Sequence, residues 1–502
     1  MSEVLGAQHP DAAAADGARR GTAIGSPGPL RPIFSGSYQK LWLLLLFGWL
    51  VSYADRTVTG PVVAWMIHDK GGFIGDSAHP AALGGLIGSM FFTGYMLTQY
   101  AGGRLGDRFG HREMLVLSLL WAGVLTLVSG LATGLVVFVV ARVLTGLGEG
   151  VFYSNDRVLV ITHTPPRRRT IGLGVAVSGL SIGLTVAIVA TPYMIDWGTS
   201  AGFGARAWSM PLFLFGTFSL LVGVATWLFF RARGDRPLRL GAPLLRLIGY
   251  SVPCAAAITV LYLVSDKAGW TAWETAIGSG VLALVMIGFV VRDLKRTGKA
   301  ETLLTKDLWL LYIAFIAVMW NLWFFSFWSV EIVAETAHSS LTSAALTAAF
   351  NAGAGIIGFP VGGWLADRRV RQGKGRKSLA IICAVAHTLL AVAFGVSLAV
   401  GHPSLLLLGL ILFTSGLFFN ALQPIVHGIL GDQVPDADRG AVFGVFNLIA
   451  EIGAVASPVV SGVLRDSTGS WAPGVFTAAG IMAVSVPLYA LVRERIPGAA
   501  RT

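Results

Sequence analysis

Long apolar runs separated by short polar connectors fill most of this 502-residue chain. Six runs come first, two follow a basic connector, and six more follow a second basic connector. They lie near 40–68, 82–104, 113–133, 135–158, 170–195 and 209–230, then 247–265 and 274–292, then 308–333, 343–365, 378–400, 404–430, 441–464 and 473–492. About twenty apolar residues span a bilayer as a helix. The pattern predicts an all-α polytopic membrane protein with fourteen transmembrane helices.

The middle pair of runs divides the chain into predicted domains. We expect a disordered cytoplasmic tail at 1–38, a six-helix bundle at 39–231, a linker with an inserted transmembrane hairpin at 232–306, a second six-helix bundle at 307–495 and a cytoplasmic tail at 496–502. Tyr250 and Pro253 interrupt the first run of the hairpin. Both connectors that flank the hairpin are nevertheless basic and its middle loop is nearly neutral, as expected of an outward-facing turn.

Composition agrees with a membrane location. The chain is 54% hydrophobic and 13% charged, with a mean hydropathy of +0.71, whereas soluble domains carry roughly 25% charged residues. With the N-terminus inside, nearly all of the 37 Lys and Arg residues fall in cytoplasmic segments, where positive loops stay. The exceptions are Lys70, Arg206, Lys267 and Arg465 outside, and Arg56 and Arg142 in the membrane. We predict a plasma (inner) membrane protein with cytoplasmic termini, the lipid bilayer as partner and no nucleic acid partner.

Charged residues inside two of the runs indicate where the function lies. Arg142 and Glu149 fall in the fourth run, and Asp55 and Arg56 in the first. Each charge at mid-bilayer costs about 2.5 to 3.5 kcal/mol on translocon scales, so it is expected to face a cavity, pair or do work. A secondary transporter is the preferred interpretation. The alternatives are a purely architectural set of ion pairs, in which loss of Glu149 leaves Arg142 unpaired, and a receptor or structural membrane protein.

Helical geometry places the two charges of the fourth run on one face. Arg142 and Glu149 are seven residues, or about 10 Å, apart along the axis. Gly146 lies between them and leaves a gap that another helix or a ligand can approach. Tyr153 and Asp156 continue the same polar stripe.

One loop sequence occurs twice, as GGRLGDRFGHR at 102–112 and as GGWLADRRVRQGKGRK at 362–377. Each copy places an aspartate, Asp107 or Asp367, beside a basic cluster, where we expect the carboxylate to cap the next helix and pair with arginine. The separation of 260 residues is long for a six-helix repeat, and the inserted hairpin accounts for the excess.

The first loop resembles the signature of the major facilitator superfamily. The matching residues are Gly103, Leu105, Asp107, Arg108, Gly110 and Arg112, and Asp367 and Arg368 repeat part of the pattern. The resemblance covers about 40–495. It implies two six-helix bundles around a midplane cavity that opens alternately to either side, with these residues as a cytoplasmic gating motif.

Within that superfamily the chain resembles the anion:cation symporters. The resemblance rests on Tyr53, Ala54, Asp55 and Arg56 in the first run and on Arg142, Gly146, Glu149, Gly150, Asn155 and Arg157 in the fourth. The same residues are similar to those of the spinster-type lysolipid transporters, which rank second. Drug antiporters with fourteen helices rank third, because the fifth run lacks their glycine-proline motif.

The charges suggest separate roles. Buried carboxylates can take up and release protons, so Asp55, Glu149 and also Glu451 are predicted to couple transport to protons. Arg56 and Arg142 keep their charge and bind carboxylates in two-point fashion, which predicts an anionic small-molecule substrate.

Further polar and aromatic residues are predicted to line the cavity. The substrate-binding prediction adds Tyr53, Tyr153, Asn155, Asn321, Asn351, Asn420 and Asn447. Hydrogen bonding between helices is the alternative for the amides of the second half, Asn321, Asn351, Asn420 and Asn447. An aromatic cluster at 320–328 is interpreted either as a cavity wall or as packing.

The resulting function is proton-coupled symport of a small organic anion, a carboxylate or a sugar acid, by a monomer. The alternative is proton-coupled export of lysolipids, other amphiphiles or drugs. We expect no enzyme activity, metal or cofactor, because the sequence has no GxxxxGK[ST] loop and no metal-ligand spacing.

Overall fold

A computed structural model describes residues 38–68, 72–75, 77–164, 169–233, 237–401, 403–435 and 438–495. Fourteen spans in this part of the chain are helical, long and apolar enough to cross a membrane. The predicted all-α membrane fold with fourteen spans is therefore confirmed. The predicted tails at 1–38 and 496–502 lie outside the described residues, apart from Tyr38.

Seventeen α-helices form the described part of the chain, with the 3-10 helix Gly204–Ser209 ahead of α7. They are α1 Gln39–His68, α2 Pro80–Phe109, α3 His111–Gly130, α4 Leu135–Glu149, α5 Phe152–His163, α6 Arg169–Ser200, α7 Met210–Arg233, α8 Gly241–Lys267, α9 Ala272–Arg296, α10 Ala300–Leu303, α11 Lys306–Thr336, α12 Leu341–Gly353, α13 Gly355–Arg371, α14 Lys377–Val400, α15 Leu405–Asp432, α16 Arg439–Thr468 and α17 Ala472–Leu491. The fourth span consists of α4 and α5, and the tenth of α12 and α13.

Hydroxyl side chains cap several helices of the second half. Thr271 and Glu274 form a reciprocal capping box at the start of α9. Thr305, Ser340 and Ser404 accept hydrogen bonds from backbone N–H groups in the first turns of α11, α12 and α15. These bonds satisfy donors that have no partner inside the helix, and they set where each apolar run begins its helix.

The spans pack as two bundles. In the first, α1 packs on α6, α3 on α7 and α2 on α4; in the second, α11 packs on α16, and α14 on α15 and α17. The bundles meet through α2 with α16, α6 with α12, and α1 with α11. The seam between the bundles therefore runs along α1, α2 and α6, and α1 carries Asp55 and Arg56.

The inserted hairpin, α8 and α9, docks across this seam. Helix α8 packs against α2 and α4, and α9 packs against α2 and α16. Asp293 of α9 accepts hydrogen bonds from Tyr100 and Arg104 of α2, and Lys299 lies 3.5 Å from Asp438 at the start of α16. The hairpin thus contacts both bundles, and many large apolar side chains on its other faces are exposed, as expected of a lipid-facing surface.

Glycines bring the bundles together at one end of the molecule. We call the side where α1 begins the inner side and the opposite side the outer side. Toward the outer side, a Cβ atom on Gly85 of α2 would lie 2.2 Å from the Pro458 carbonyl oxygen of α16. A Cβ atom on Gly462 of α16 would lie 2.2 Å from the Ala81 carbonyl oxygen. A larger residue at either position would force the helices apart.

Polar contacts reinforce this outer closure. Asp466 of α16 accepts a hydrogen bond from the Ala82 backbone N–H of α2 at 2.7 Å, which caps α2 from the opposite bundle. His68 at the end of α1 lies 3.1 Å from Glu331 of α11. The outer ends of the two bundles are therefore held together in this conformation.

Candidate functional site

Asp55 and Arg142 form the first of two ion pairs in the first bundle. Arg142 Nη1 lies 3.2 Å from Asp55 Oδ1, and Nη2 donates a hydrogen bond to the Asp55 carbonyl oxygen at 2.9 Å. Thr126 of α3 donates to the same Oδ1 at 2.6 Å. The Arg142 guanidinium also lies over the Phe91 ring of α2, 4.7 Å from its centroid. Helices α1 and α2 therefore contact this arginine directly, and α3 holds its partner Asp55.

Arg56 and Glu149 form the second pair. Arg56 Nε lies 2.6 Å from Glu149 Oε2, and Ser52 donates to that oxygen at 2.9 Å. Ser52 also accepts from Arg56 Nη2 at 2.9 Å. The Arg56 guanidinium lies over the rings of Tyr53 and Tyr95, at 4.7 and 4.1 Å from their centroids. Cation–π contacts position a guanidinium without using its N–H donors, so the donors that Glu149 and Ser52 do not use remain available to an anion.

The pairing differs from the one that the architectural alternative assumed. Glu149 pairs with Arg56, and Arg142 pairs with Asp55. Arg142 and Glu149 are about 10 Å apart along α4, too far for one ion pair, so each reaches a residue of α1 instead. The prediction that loss of Glu149 leaves Arg142 unpaired is therefore wrong, because the arginine left unpaired is Arg56.

All four charged side chains are buried, with at most 2% of each side chain exposed. Two cations balance two anions, which offsets part of the cost of burying them. Asp55 Oδ2, Glu149 Oε1 and Arg142 Nε have no hydrogen-bond partner among the described residues. Each pair therefore keeps at least one polar atom without a partner, to which a proton or a polar group of a ligand can bind.

Helix α2 occupies the gap beside Gly146. A Cβ atom on Gly146 would lie 2.2 Å from the Phe91 carbonyl oxygen, and one on Gly150 would lie 2.2 Å from the Tyr95 carbonyl oxygen. The sequence left open whether a helix or a ligand approaches here, and the structure places a helix. This contact brings Phe91 and Tyr95 against the two arginines.

Glu451 of α16 brings a carboxylate from the second bundle. Asn447, one turn before it, donates to Glu451 Oε1 at 3.3 Å and to the Gln99 side-chain oxygen of α2 at 2.7 Å. Glu451 Oε2 is buried without a hydrogen-bond partner among the described residues. Asn447 thus connects the two bundles beside a carboxylate.

Aromatic residues connect the bundles at a similar level. The Tyr53 ring stacks on Trp323 of α11 at 5.8 Å, and Trp323 lies 4.3 Å from the Phe92 ring. Trp328, later in the same cluster, donates a hydrogen bond to the Pro458 carbonyl oxygen at 2.9 Å. The cluster at 320–328 therefore serves both interpretations, since Trp323 packs on a residue of the charged site and Trp328 packs against α16.

The other predicted asparagines donate to backbone carbonyl oxygens. The acceptors are Gly102 for Asn155 at 3.2 Å, Ala478 for Asn321 at 3.1 Å, Leu412 for Asn351 at 3.2 Å and Gly416 for Asn420 at 2.7 Å. The first three bonds join different helices, and for Asn321 and Asn351 this is the alternative that the sequence left open. The structure brings Asn447, not these four, beside a carboxylate of the central region.

The first inner loop turns at Gly110, whose φ of +114° favours glycine. Asp107 lies 3.5 Å from His111, and α3 begins without a side-chain cap. The predicted capping of α3 by Asp107 is wrong. Helix α2 continues to Phe109, so Asp107 lies in the last turn of α2 rather than at the start of α3. Of the remaining motif residues, Gly103 packs near Ser154, Arg108 lies over the Phe109 ring and Arg112 is buried.

The second inner loop uses a different acid. Glu494, which follows the last span, accepts hydrogen bonds from the backbone N–H groups of Arg376 and Lys377 at 2.6 and 2.8 Å, where α14 begins. Asp367 and Arg368 lie in α13, and Arg368 lies over the Trp364 ring. The predicted cap by Asp367 is therefore wrong, since Glu494 occupies that position.

Four residues of the charged region were not predicted from the sequence: Ser52, Tyr95, Gln99 and Thr126. Ser52 precedes Arg56 by four residues and shares its helix face, a spacing that was a usable signal. The other three belong to α2 and α3. Their proximity depends on how these helices pack, for which the sequence carries no direct signal.

Two helical bundles that meet around buried, paired charges are the architecture of a membrane transporter. The chain belongs to the Major Facilitator Superfamily, whose family model matches residues 45–392 and 311–501. This result confirms the superfamily predicted from the loop at 102–112.

Individual relatives agree with this assignment. The chain is 26% identical over 431 residues to a probable sulfoacetate transporter, SauU, of Cupriavidus necator, covering 84% of this chain and 86% of the relative. It is 23% identical over 464 residues to a hexuronate transporter of Bacillus subtilis, covering 91% and 94%. A bacterial homolog of the human lysosomal transporter Spinster, solved inward-facing and occupied, has a TM-score of 0.66 at 16% identity, covering 91% of this chain and 97% of that one. The structural similarity concerns the fold alone.

Proposed function

We propose that this protein is a proton-coupled symporter of a small organic anion, a carboxylate, a sugar acid or a sulfonated acid. The relatives named for sulfoacetate and hexuronate support an anionic substrate. The ion pair between Arg56 and Glu149 is the main structural support for this proposal. Here a permanent cation is neutralised by an acid that can accept a proton.

Protonation of Glu149 is the coupling step. A proton arriving at Glu149 removes the negative charge that balances Arg56, and the guanidinium then binds the substrate carboxylate or sulfonate in two-point fashion. The buried charge stays balanced, because the substrate anion replaces the Glu149 carboxylate. After the bundles open to the inner side, loss of the proton restores the ion pair and displaces the substrate.

The remaining charged groups support this cycle. Arg142 pairs with the unprotonated Asp55 and so joins α4 to α1, and Asp55 serves as a further proton acceptor. Glu451 is the proton acceptor of the second bundle, and Asn447 and Tyr53 line the substrate region. The inner loops with Asp107 and Asp367 act as gating elements.

The arrangement in the cell follows the charge asymmetry of the loops. We propose a monomer in the plasma membrane, with both termini and the connectors at 231–246 and 292–306 in the cytoplasm. The bundles at 39–231 and 307–495 move against each other, and 232–306 links them. The inner side of the structure is then the cytoplasmic side.

Uptake into proteoliposomes tests the function. The panel comprises a sulfonated carboxylate, a hexuronate, the neutral hexose of the same size and a lysolipid, each with and without an inward proton gradient. We expect accumulation of an acid that a protonophore abolishes, no uptake of the hexose, and loss of uptake in Arg56→Ala. Movement of the lysolipid with no uptake of either acid would instead support the amphiphile exporter and refute the symporter.

A further inference from the structure

Arg157 lies on α5, between the central charged pairs and the inner side. Its guanidinium packs over the rings of Trp49 and Tyr153, with centroids at 5.3 and 4.8 Å. It follows Glu149 by eight residues, or about 12 Å of helix, toward the inner side. Its side chain is 24% exposed, whereas that of Arg56 is 1% exposed. Arg157 is therefore a cation on the inner side of a closed site.

The acid next to Arg157 forms an ion pair with it but no hydrogen bond. Asp156 Oδ2 lies 3.7 Å from Arg157 Nη1, beyond hydrogen-bond range, and accepts its hydrogen bond from Trp49 Nε1 at 2.7 Å. Asp156 Oδ1 is buried without a partner among the described residues. A guanidinium carries five N–H donors in a fork that matches planar anions. The aromatic rings contact its faces, so that fork remains able to bind an anion.

The second bundle forms the opposite wall. Helix α5, which carries Arg157, contacts α16 of the second bundle, and His427 belongs to the neighbouring α15. The rings of Phe315, Phe443 and Phe446 surround His427, with centroids 5.4 to 5.7 Å away. The helix that carries Arg157 therefore borders the seam between the bundles.

Tyrosines connect Arg157 to the central site. Tyr53, whose ring lies against Arg56, contacts Trp49, whose ring lies against Arg157. Tyr153 also contacts Arg157. Trp49 lies 5.3 Å from the Tyr53 ring and 6.0 Å from the Tyr153 ring. Aromatic side chains thus line the interval between the two arginines.

We propose that Arg157, with Trp49 and Tyr153, forms a second anion-binding subsite that receives the carboxylate or sulfonate group of the substrate between Arg56 and the inner side. This inference rests on the proposed function. An anion moving from Arg56 toward water without another cation would be both desolvated and unpaired, which is costly. A second anion-binding site of moderate affinity divides the release of the anion into two smaller steps, as successive ion-binding sites do in channels.

The competing explanation is structural. Arg157 could serve solely to neutralise Asp156, with no contact to substrate. In that case Arg157→Gln harms the protein by leaving Asp156 as a buried unpaired charge, and Asp156→Asn added to it repairs the damage. The double variant therefore separates the two explanations and also avoids a folding defect caused by a lone charge.

Transport from the two sides tests the subsite, with a hexuronate as the probe. Uptake by cells gives the outer KM, and uptake by inside-out vesicles gives the inner KM. We expect Arg157→Gln to raise the inner KM about tenfold, the effect of losing one charge-assisted hydrogen bond, and the outer KM less than twofold. Asp156→Asn with Arg157→Gln shows the same rise. Arg231→Gln is the matched control, because Arg231 lies over Trp227 at the inner end of α7 and is exposed.

Each other outcome overturns the inference. Equal inner and outer effects, or recovery of both KM values in the double variant, would make Arg157 structural. An unchanged inner KM in Arg157→Gln, while Arg56→Ala abolishes uptake, would remove the subsite and leave the proposed function intact. Full uptake in Arg56→Ala would refute the proposed function and the subsite together.

Discussion

Replacing Glu149 by glutamine removes one negative charge from a site where two acids balance two arginines. Arg56, 2.6 Å from Glu149, loses its counter-charge, although the amide oxygen can still accept a hydrogen bond. Removing one partner of a buried ion pair costs about 3 to 5 kcal/mol, and the retained hydrogen bond should keep the loss of stability at or below the lower value. We expect Glu149→Gln to fold.

The expected transport effect follows from the proposed proton coupling. One pH unit supplies about 1.4 kcal/mol per proton, so a symporter that moves one proton with each anion accumulates substrate about tenfold across that gradient. Glu149→Gln mimics the protonated acid permanently. We therefore expect exchange of labelled for unlabelled substrate to persist, while the accumulation ratio falls to about one.

Proteoliposomes loaded with substrate or with buffer measure both activities in one preparation. Thermal unfolding of the same samples gives the stability. The decisive control is Glu149→Gln with Arg56→Gln, which removes both charges of the actual pair. If that double variant regains stability and still accumulates substrate against its gradient, the pair is architectural and the assignment of the site is wrong. Loss of exchange in Glu149→Gln, with normal stability, would also contradict the mechanism.

Three further outcomes are expected. A cysteine in place of Ala268, in the turn between α8 and α9, should react with a membrane-impermeant maleimide on intact cells. A cysteine in place of Gly241 should not react. The reverse pattern would overturn the proposed topology. Gly146→Ala should prevent recovery of folded protein in detergent, because its Cβ would lie 2.2 Å from a carbonyl oxygen, whereas Gly280→Ala meets no atom within 4 Å and should unfold at or above the wild-type temperature. Asp466→Ala removes the cap of α2 at the outer side, which is worth about 1 kcal/mol. Labelling of a cysteine in place of the buried Val62 should then be about fivefold faster. An unchanged labelling rate would show that Asp466 does not hold the outer side closed.

Local properties of the chain were readable from the sequence. The length of an apolar run determines whether a helix crosses a bilayer, and this requires no knowledge of its neighbours. The fourteen spans, including the hairpin interrupted by Pro253, were predicted for this reason. The cost of charges in lipid also singled out Asp55, Arg56, Arg142 and Glu149 before any contact was known.

Partners were decided by the tertiary structure. Helical periodicity tells which face of α4 carries Arg142 and Glu149, but their partners lie about 90 residues away in α1, and the depth at which α1 packs decides which acid meets which arginine. For the same reason the sequence did not predict the hydrogen bond between Gln99 and Asn447, or the cap that Glu494 provides at the start of α14. Periodicity records the direction of a side chain around its own axis, whereas a hydrogen bond or ion pair requires two helices placed to within about an ångström.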